Sequence, residues 1–309
     1  MKRIFGLILA AAMAVPSFAG DKEQKDYSAY LPEAGDIALG LNLNPVTNFL
    51  GQMFNNSVNG SINNDQIGGS GLLWNQDVTT TEGFALPMVS IQGKYFLDDN
   101  IAVRANIGMV LNRQNRHEYV QDDAAVAADP LSQDKVEDAY HASVTGGSLS
   151  AGIEYRMGKN HRFQGVFSGN LLYSFYTAKT TWDYGNGITE INQTPSIDGV
   201  VNTMGYVAMG TNIPSARVTK ASADVNHTIG LVGTVGIEYF VAPKIAIGAE
   251  VDLALLYSWR PSQTATYEGY NTLSGTVDEY INKVSPKSSD FVFGTQNIGG
   301  NLYLMFYFN

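Results

Sequence analysis

The sequence predicts an all-β fold: an eight-stranded antiparallel up-and-down transmembrane β-barrel with long extracellular loops. Three observations carry this. A hairpin unit recurs three times along the chain. Very short connections alternate with very long ones. The apolar faces of the strands are bounded by aromatic residues at a spacing that fits a bilayer.

The chain begins with a targeting pattern. Lys2 and Arg3 precede an apolar run from Ile4 to Val15, and Ser17 and Ala19 supply the small residues of a cleavage site. The run is too short to cross about 30 Å of hydrocarbon as a helix, so residues 1–19 read as a signal peptide cut after Ala19. Losing Lys2 and Arg3 takes the formal charge from −10 to −12. Residues 20–35 read as a short periplasmic segment and 36–309 as the barrel.

The repeated units are Gly93-Lys94-Tyr95-Phe96-Leu97, Gly152-Ile153-Glu154-Tyr155-Arg156-Met157 and Gly236-Ile237-Glu238-Tyr239-Phe240-Val241. Each ends an alternating run and meets turn-forming residues: Asp98-Asp99-Asn100, Gly158-Lys159-Asn160 or Ala242-Pro243-Lys244. A second alternating run follows each turn, so each unit is a β-hairpin. From Ile101, one face reads Ile101, Val103, Ala105, Ile107, Met109, Leu111 and the other Ala102, Arg104, Asn106, Gly108, Val110. That is the two-residue period of a strand. Single strands at the two ends complete the set, at about 36–44, 85–97, 100–113, 146–157, 161–177, 227–241, 244–259 and 296–308. The three hairpin turns are short. The other four connections run to roughly 30–50 polar residues each, the asymmetry of periplasmic turns against extracellular loops.

Alternation does not say which face meets lipid. The aromatics do. Tyr95, Tyr155 and Tyr239 lie on the apolar face just before short turns, with Phe163 just after one; Phe308 closes the chain on the same face. Tyr173, Phe175 and Tyr257 stand at the far end. Ten residues from Phe163 to Tyr173, at about 3.3 Å each and tilted near 40°, rise roughly 25 Å, the height of the apolar band. The opposite face then lines a bore narrow enough for side chains to fill. Lys94, Arg104, Glu154 and Glu238 sit at similar distances from their turns, so they are expected to pair near the periplasmic end, since buried unpaired charge is costly. Arg156 lies one step lower. Glu250 and Asp252 lie higher, with Arg156 as a weak partner or water around them.

Composition excludes several functions. Charged residues are only 16% of the chain and the balance is acidic, which argues against nucleic-acid binding. With no cysteine, disulfides, thiolate metal sites and cysteine nucleophiles are excluded. His117, His161 and His227 show no ligand spacing, and no metal or cofactor is expected. Gly68-Gly69-Ser70-Gly71 reads as a flexible loop. After Pro45, the spacing of Val46, Phe49, Leu50 and Met53, with Asn44 as a cap, fits a short amphipathic helix at the interface or an irregular loop. The loop residues Trp74, Trp182, Tyr184, Tyr206, Tyr267, Tyr270 and Tyr280 suit either partner contacts or packing of the loops on one another.

The signal peptide, the hairpins and the closing Asn301-Leu302-Tyr303-Leu304-Met305-Phe306-Tyr307-Phe308 resemble the small OmpA/OmpX-like outer-membrane barrels. Leu31-Pro32-Glu33-Ala34-Gly35-Asp36-Ile37-Ala38-Leu39-Gly40 and Asn48-Phe49-Leu50-Gly51-Gln52-Met53-Phe54 look like the barrels common in Bacteroidota. The resemblance implies a multi-pass protein of the cell outer membrane, surrounded by its lipids and inserted by the barrel assembly machinery. In this class the last strand carries the assembly signal and ends in an aromatic residue; here Phe308 is penultimate and Asn309 last. No peptidoglycan-binding domain is expected after it. Tyr140-His141-Ala142-Ser143 resembles the His-x-Ser pair of a barrel-type lipid A deacylase. Val144 replaces that pattern's asparagine, and no acid is identifiable by spacing. The pair reads as incidental to a loop edge, and no catalytic residue is expected. The functional expectation is a non-enzymatic barrel acting through its loops, by surface binding of protein or glycan or as a subunit of a membrane complex. The alternatives are a narrow porin-like channel and a lipid A-modifying enzyme.

Amino-terminal sequencing of the exported protein is expected to start at Gly20; a chain that still begins at Met1 in isolated membranes would contradict the leader reading.

Overall fold

The computed structural model describes residues 26–42, 89–158 and 161–309. The leader, the amphipathic segment after Pro45, the Gly68–Gly71 run and Trp74 lie outside the described residues. So do Lys159 and Asn160 of the middle turn. The strands in chain order are β1 (Ile37–Asn42), β2 (Val89–Asp98), β3 (Ile101–Gln121), β4 (Lys135–Met157), β5 (Phe163–Asp183), β6 (Tyr206–Val207), β7 (Ala216–Ala223), β8 (Asn226–Ala242), β9 (Ile245–Arg260), β10 (Gln263–Asn271), β11 (Thr276–Ser285) and β12 (Ser288–Phe308). A short helix, α1 (Asp123–Ala128), sits between β3 and β4, capped by Asp122 through the backbone N–H groups of Ala124 and Ala125.

Eight of these strands close a ring in the order β1-β2-β3-β4-β5-β8-β9-β12, every adjacent pair antiparallel. Closure comes from β1 pairing β12, Ile37 opposite Phe308, and from β5 pairing β8, Phe163 opposite Tyr239. Two hairpin turns are tight: Asp99-Asn100 joins β2 to β3 and Pro243-Lys244 joins β8 to β9. Lys244 adopts φ 60° to make the second, a conformation that costs an L-residue energy and recurs in two-residue hairpin turns. Its backbone N–H donates to Tyr30 O and its ammonium reaches Asp36 at 2.6 Å.

The faces segregate as a membrane requires. The outward residues of β1 (Ile37, Leu39, Leu41) and β3 (Ile101, Val103, Ile107, Met109, Leu111) are exposed, while Lys94, Arg104, Glu154 and Glu238 are buried inside. A water-soluble barrel would show the reverse. The sequence-predicted aromatics all stand on the outer surface: Tyr95, Tyr155, Phe163, Tyr239 and Phe308 at the short-turn end, and Tyr173, Phe175 and Tyr257 at the other.

The strands are longer than the sequence pattern indicated. β3 and β5 have 21 residues and β4 has 23, whereas about 9–11 tilted residues cross the hydrocarbon. About half of each therefore stands above the membrane, where loops were expected. Alternation is lost there because water lies outside the wall, so nothing demands an apolar outer face. The hydrogen-bond ladder continues regardless, from Leu111–Thr145 up to Gln121–Lys135. Higher up, β7 replaces β8 as the neighbour of β5, β10 pairs β7, and β11 pairs β10. The connections β5–β8 and β9–β12 thus carry strands of their own.

Ile107→Lys, mid-way along the lipid face of β3, is expected to cost about 2–4 kcal/mol, read as a lower urea midpoint of the vesicle-inserted protein. Tyr119→Lys, on the same face but above the membrane, should leave that midpoint in place.

Candidate functional site: the bore and the extracellular extension

The inner face of the bore is organised in layers. At the short-turn end, Ala38, Phe96, Ala102, Phe240, Ala246, Met305 and Tyr307 form an apolar floor, with Tyr30 and Leu31 packed beneath it. The amino-terminal segment therefore covers the mouth: Gly35 N–H donates to Phe96 O, and Arg162 stacks on Tyr30 at 4.3 Å and Tyr27 at 5.0 Å.

Above the floor lies the charged layer. Lys94 meets Glu154 at 2.8 Å and Glu238 at 2.5 Å. Arg104 donates two hydrogen bonds of 2.9 Å to the two oxygens of Glu250 and lies 3.4 Å from Glu154. Arg156 contacts Glu238 and lies 3.5 Å from Glu154. Its guanidinium also donates to Tyr307 Oη at 2.8 Å and sits between the rings of Phe96, Phe240 and Tyr307. Tyr303 donates to Glu238 at 2.7 Å and Tyr307 to the same carboxylate at 2.5 Å. Three cations and three carboxylates thus balance.

The ring order gives these contacts their meaning. In an eight-membered ring, β2 lies opposite β8, β3 opposite β9 and β4 opposite β12. Lys94–Glu238, Arg104–Glu250 and Arg156–Tyr307 each join one such pair. The bore is crossed along three diameters. Glu250 departs from the sequence expectation, since its partner is Arg104 and not Arg156. Gly236 faces it across the β8–β9 ladder, and a Cβ there would fall 2.6 Å from Glu250 Cγ. Gly248 likewise makes room for the Tyr303 ring, which would lie 2.1 Å from a Cβ. Asp252 stays outside the network, beside its cross-strand neighbour Thr234. Higher still, Asn106 donates to Ser150 at 3.1 Å, and Leu172, Ala254 and Leu256 form an apolar cluster with Val232.

The extension above the membrane is ordered by its own buried polar groups. Asp138 is fully buried and accepts the backbone N–H groups of Gly185 and Asp198, each at 2.9 Å. Arg217 donates to Glu268 at 2.7 Å and to Asn186 O at 2.8 Å, and stacks 4.1 Å above Tyr184. Burial pushes the Tyr206 hydroxyl up to about 12, and neighbouring Arg217 opposes it. The loop aromatics are spent on packing: Trp182 donates to Val201 O, Tyr184 to Val218 O and Tyr206 to Pro195 O, while Tyr267 and Tyr270 are buried. Single apolar residues such as Leu131, Ile191 and Leu273 remain exposed.

His141 and Ser143 lie within β4 and not at a loop edge. His141 does have an acid, Asp183, 3.3 Å from its Nε2, which cross-strand pairing supplies and spacing along the chain does not reveal. Its Nδ1 faces Asn115 at 3.0 Å, and the Ser143 hydroxyl donates to Lys179 O at 3.4 Å. The serine–histidine hydrogen bond that nucleophilic catalysis needs is not formed. Among the described residues no His, Asp and Glu group is arranged to hold a metal ion.

Residues 77–281 match the family model described as "Putative OmpA-OmpF-like porin family". Among solved structures, the outer membrane protein OprG from Pseudomonas aeruginosa aligns over 91% of this chain and 99% of its own, at 12% identity and a TM-score of 0.31. OmpT of Vibrio cholerae aligns over 72% of this chain and 89% of its own, at 10% identity and a TM-score of 0.09. No curated protein sequence matches.

Glu238→Ala leaves Lys94 and Arg156 short of a partner, and is expected to cost about 3–5 kcal/mol in vesicle unfolding, the usual penalty for breaking a buried pair. Glu279→Ala, on an exposed strand of the extension, should change little.

Proposed function

Because this chain belongs to the OmpA-OmpF-like porin family yet has side chains across its bore, we propose that it is a non-conducting, non-enzymatic barrel acting through its extracellular extension. It is a protein of the outer membrane. Its partner on this reading is a protein or glycan outside the cell, or a neighbour in a membrane complex. The observation that carries the reading is the bore crossed along three diameters by Lys94–Glu238, Arg104–Glu250 and Arg156–Tyr307. A hydrated ion would have to break charge-assisted bonds in a water-poor space, each far stronger there than in bulk water. The extension supports the reading from the other side. Its aromatics and buried Asp138 and Arg217 hold it in one shape, and a preorganised surface binds at lower entropic cost.

A narrow porin-like channel is the second reading. It is favoured by Gln92, whose two buried amide atoms have no protein partner among the described residues, and by Asn170 Oδ1 in the same state. Water threading past these groups would satisfy them.

Planar-bilayer recording separates the two. The proposed reading expects no stable conductance step from the purified protein. Sustained steps that change on replacing Arg104 and Glu238 together would establish the channel and remove the first reading. Deleting the β10–β11 hairpin between Pro261 and Pro286 should leave a folded, heat-modifiable barrel. If the extension is the working part, that variant loses the wild type's larger native complex or its glycan retention.

A further inference from the structure

We propose that the outer wall of β3, β4, β5 and β7, just above the upper aromatic ring, holds the phosphate headgroup of an outer-leaflet lipid. The argument begins with register. Arg113, Ser143, Lys179 and Ser222 are successive cross-strand partners on these four strands. Thr181 and Lys220 pair in the adjoining row on the same face. Arg113 shares the face of Met109 and Leu111, and Lys179 that of Tyr173 and Phe175, so the row points outward. Arg113, Lys179 and Lys220 are exposed. Arg113 and Lys179 stand two strand spacings apart, about 10 Å, with the Ser143 hydroxyl between them.

The depth is that of the headgroups. The row beneath holds Leu111, Thr145 and Thr177, and Phe175 marks the end of the apolar band. Lys179 is four residues beyond Phe175, roughly 10 Å higher at a 40° tilt. Its flexible stem lets the ammonium reach down to the interface. Arg113 lies in the same cross-strand row, four residues beyond Met109, whose row holds Phe175. Arginine's planar fork suits a phosphate, and basic clusters at this depth attract anionic headgroups.

The charges nearby leave the cations free. Asp183 is turned to His141, and Glu137 accepts His117 at 2.6 Å. Asp224 lies in the β7–β8 link without a pairing to any of the three. None of Arg113, Lys179 and Lys220 forms an ion pair among the described residues, whereas Arg217, Lys244 and Arg260 are paired. The far side of the wall differs. There β9 and β12 present Tyr257, Phe291 and Phe293 outward. Arg113, Lys179 and Lys220 thus share one stretch of wall, while the far side carries Arg260, which is paired with Asp290, and Lys287 in the link before β12.

The test uses the full exported chain in mild detergent and native mass spectrometry. The probes are diphosphorylated lipid A, the same lipid stripped of phosphate, and inorganic phosphate. Wild type is expected to retain one diphosphorylated lipid and to release the dephosphorylated form. Arg113→Gln with Lys179→Gln and Lys220→Gln should weaken retention on the order of 100-fold, at roughly fivefold per cation. Lys135→Gln, on the same surface but at the tip of the extension, should retain it. Heat-modifiable migration checks that each variant is folded; if the triple variant is not, Lys179→Gln alone should lose about fivefold. Equal retention of the dephosphorylated lipid, or undiminished retention by the folded variants, overturns the proposal. So does complete displacement by matched inorganic phosphate, which would make this a free-anion site.

Discussion

Six charged side chains buried in one layer of the bore impose the constraint on which the rest of this structure depends. Each costs several kcal/mol to desolvate, and only mutual pairing offsets that cost. Lys94, Arg104 and Arg156 are balanced by Glu154, Glu238 and Glu250, and Tyr303 and Tyr307 donate further hydrogen bonds to carboxylate oxygens that the cations also engage. Because the partners come from opposite strands, the network fixes the barrel's cross-section as well as its charge. A slip of one residue in any of these strands would turn its charge toward lipid. A slip of two residues would keep the faces but part the paired charges by about 7 Å, so the network specifies register where the apolar outer face marks only parity.

Space for the network comes from glycines on the same inner face. Tyr303 lies across Gly248, and Glu250 extends past Gly236. The aromatic floor beneath, with Tyr30 and Leu31 packed on it, gives the ion pairs above it an apolar neighbour, and an ion pair is stronger in apolar surroundings than in water. The segment before β1 packs on this floor through Tyr30 and Leu31 and is tied to β2 by Gly35 N–H on Phe96 O.

Above the membrane the same ladders serve a different solvent. Freed from lipid, the walls of β3, β4 and β5 carry Asn115, His117, His141 and Lys179 outward. Trp182, Tyr184 and Tyr267 there turn to internal packing, while Tyr119 stays on the outer face. Buried Asp138 holds the distant Gly185 and Asp198 by their backbone N–H groups, which ties a long irregular stretch to the β4 wall. The extension is thus a continuation of the barrel's own sheet.

The sequence by itself determined the strand class, the hairpins, the faces and the identity of the charged lining. These follow from local rules: a two-residue period, turn chemistry, and the avoidance of charge in lipid. It located Lys94, Arg104, Glu154, Arg156, Glu238 and Glu250 on the inner face, because parity from the tyrosine-marked turns is a local count. Tertiary structure alone decided who pairs with whom. Arg104 meets Glu250 because β3 and β9 stand opposite in the ring, and ring position is a property of closure, invisible in any one strand. The upper halves of β3, β4 and β5 were hidden for a related reason: above the lipid the apolar signal ends while the hydrogen bonds continue. Asp183 reaches His141 only through the β4–β5 ladder, a contact set by register across 42 positions and not by spacing within a motif.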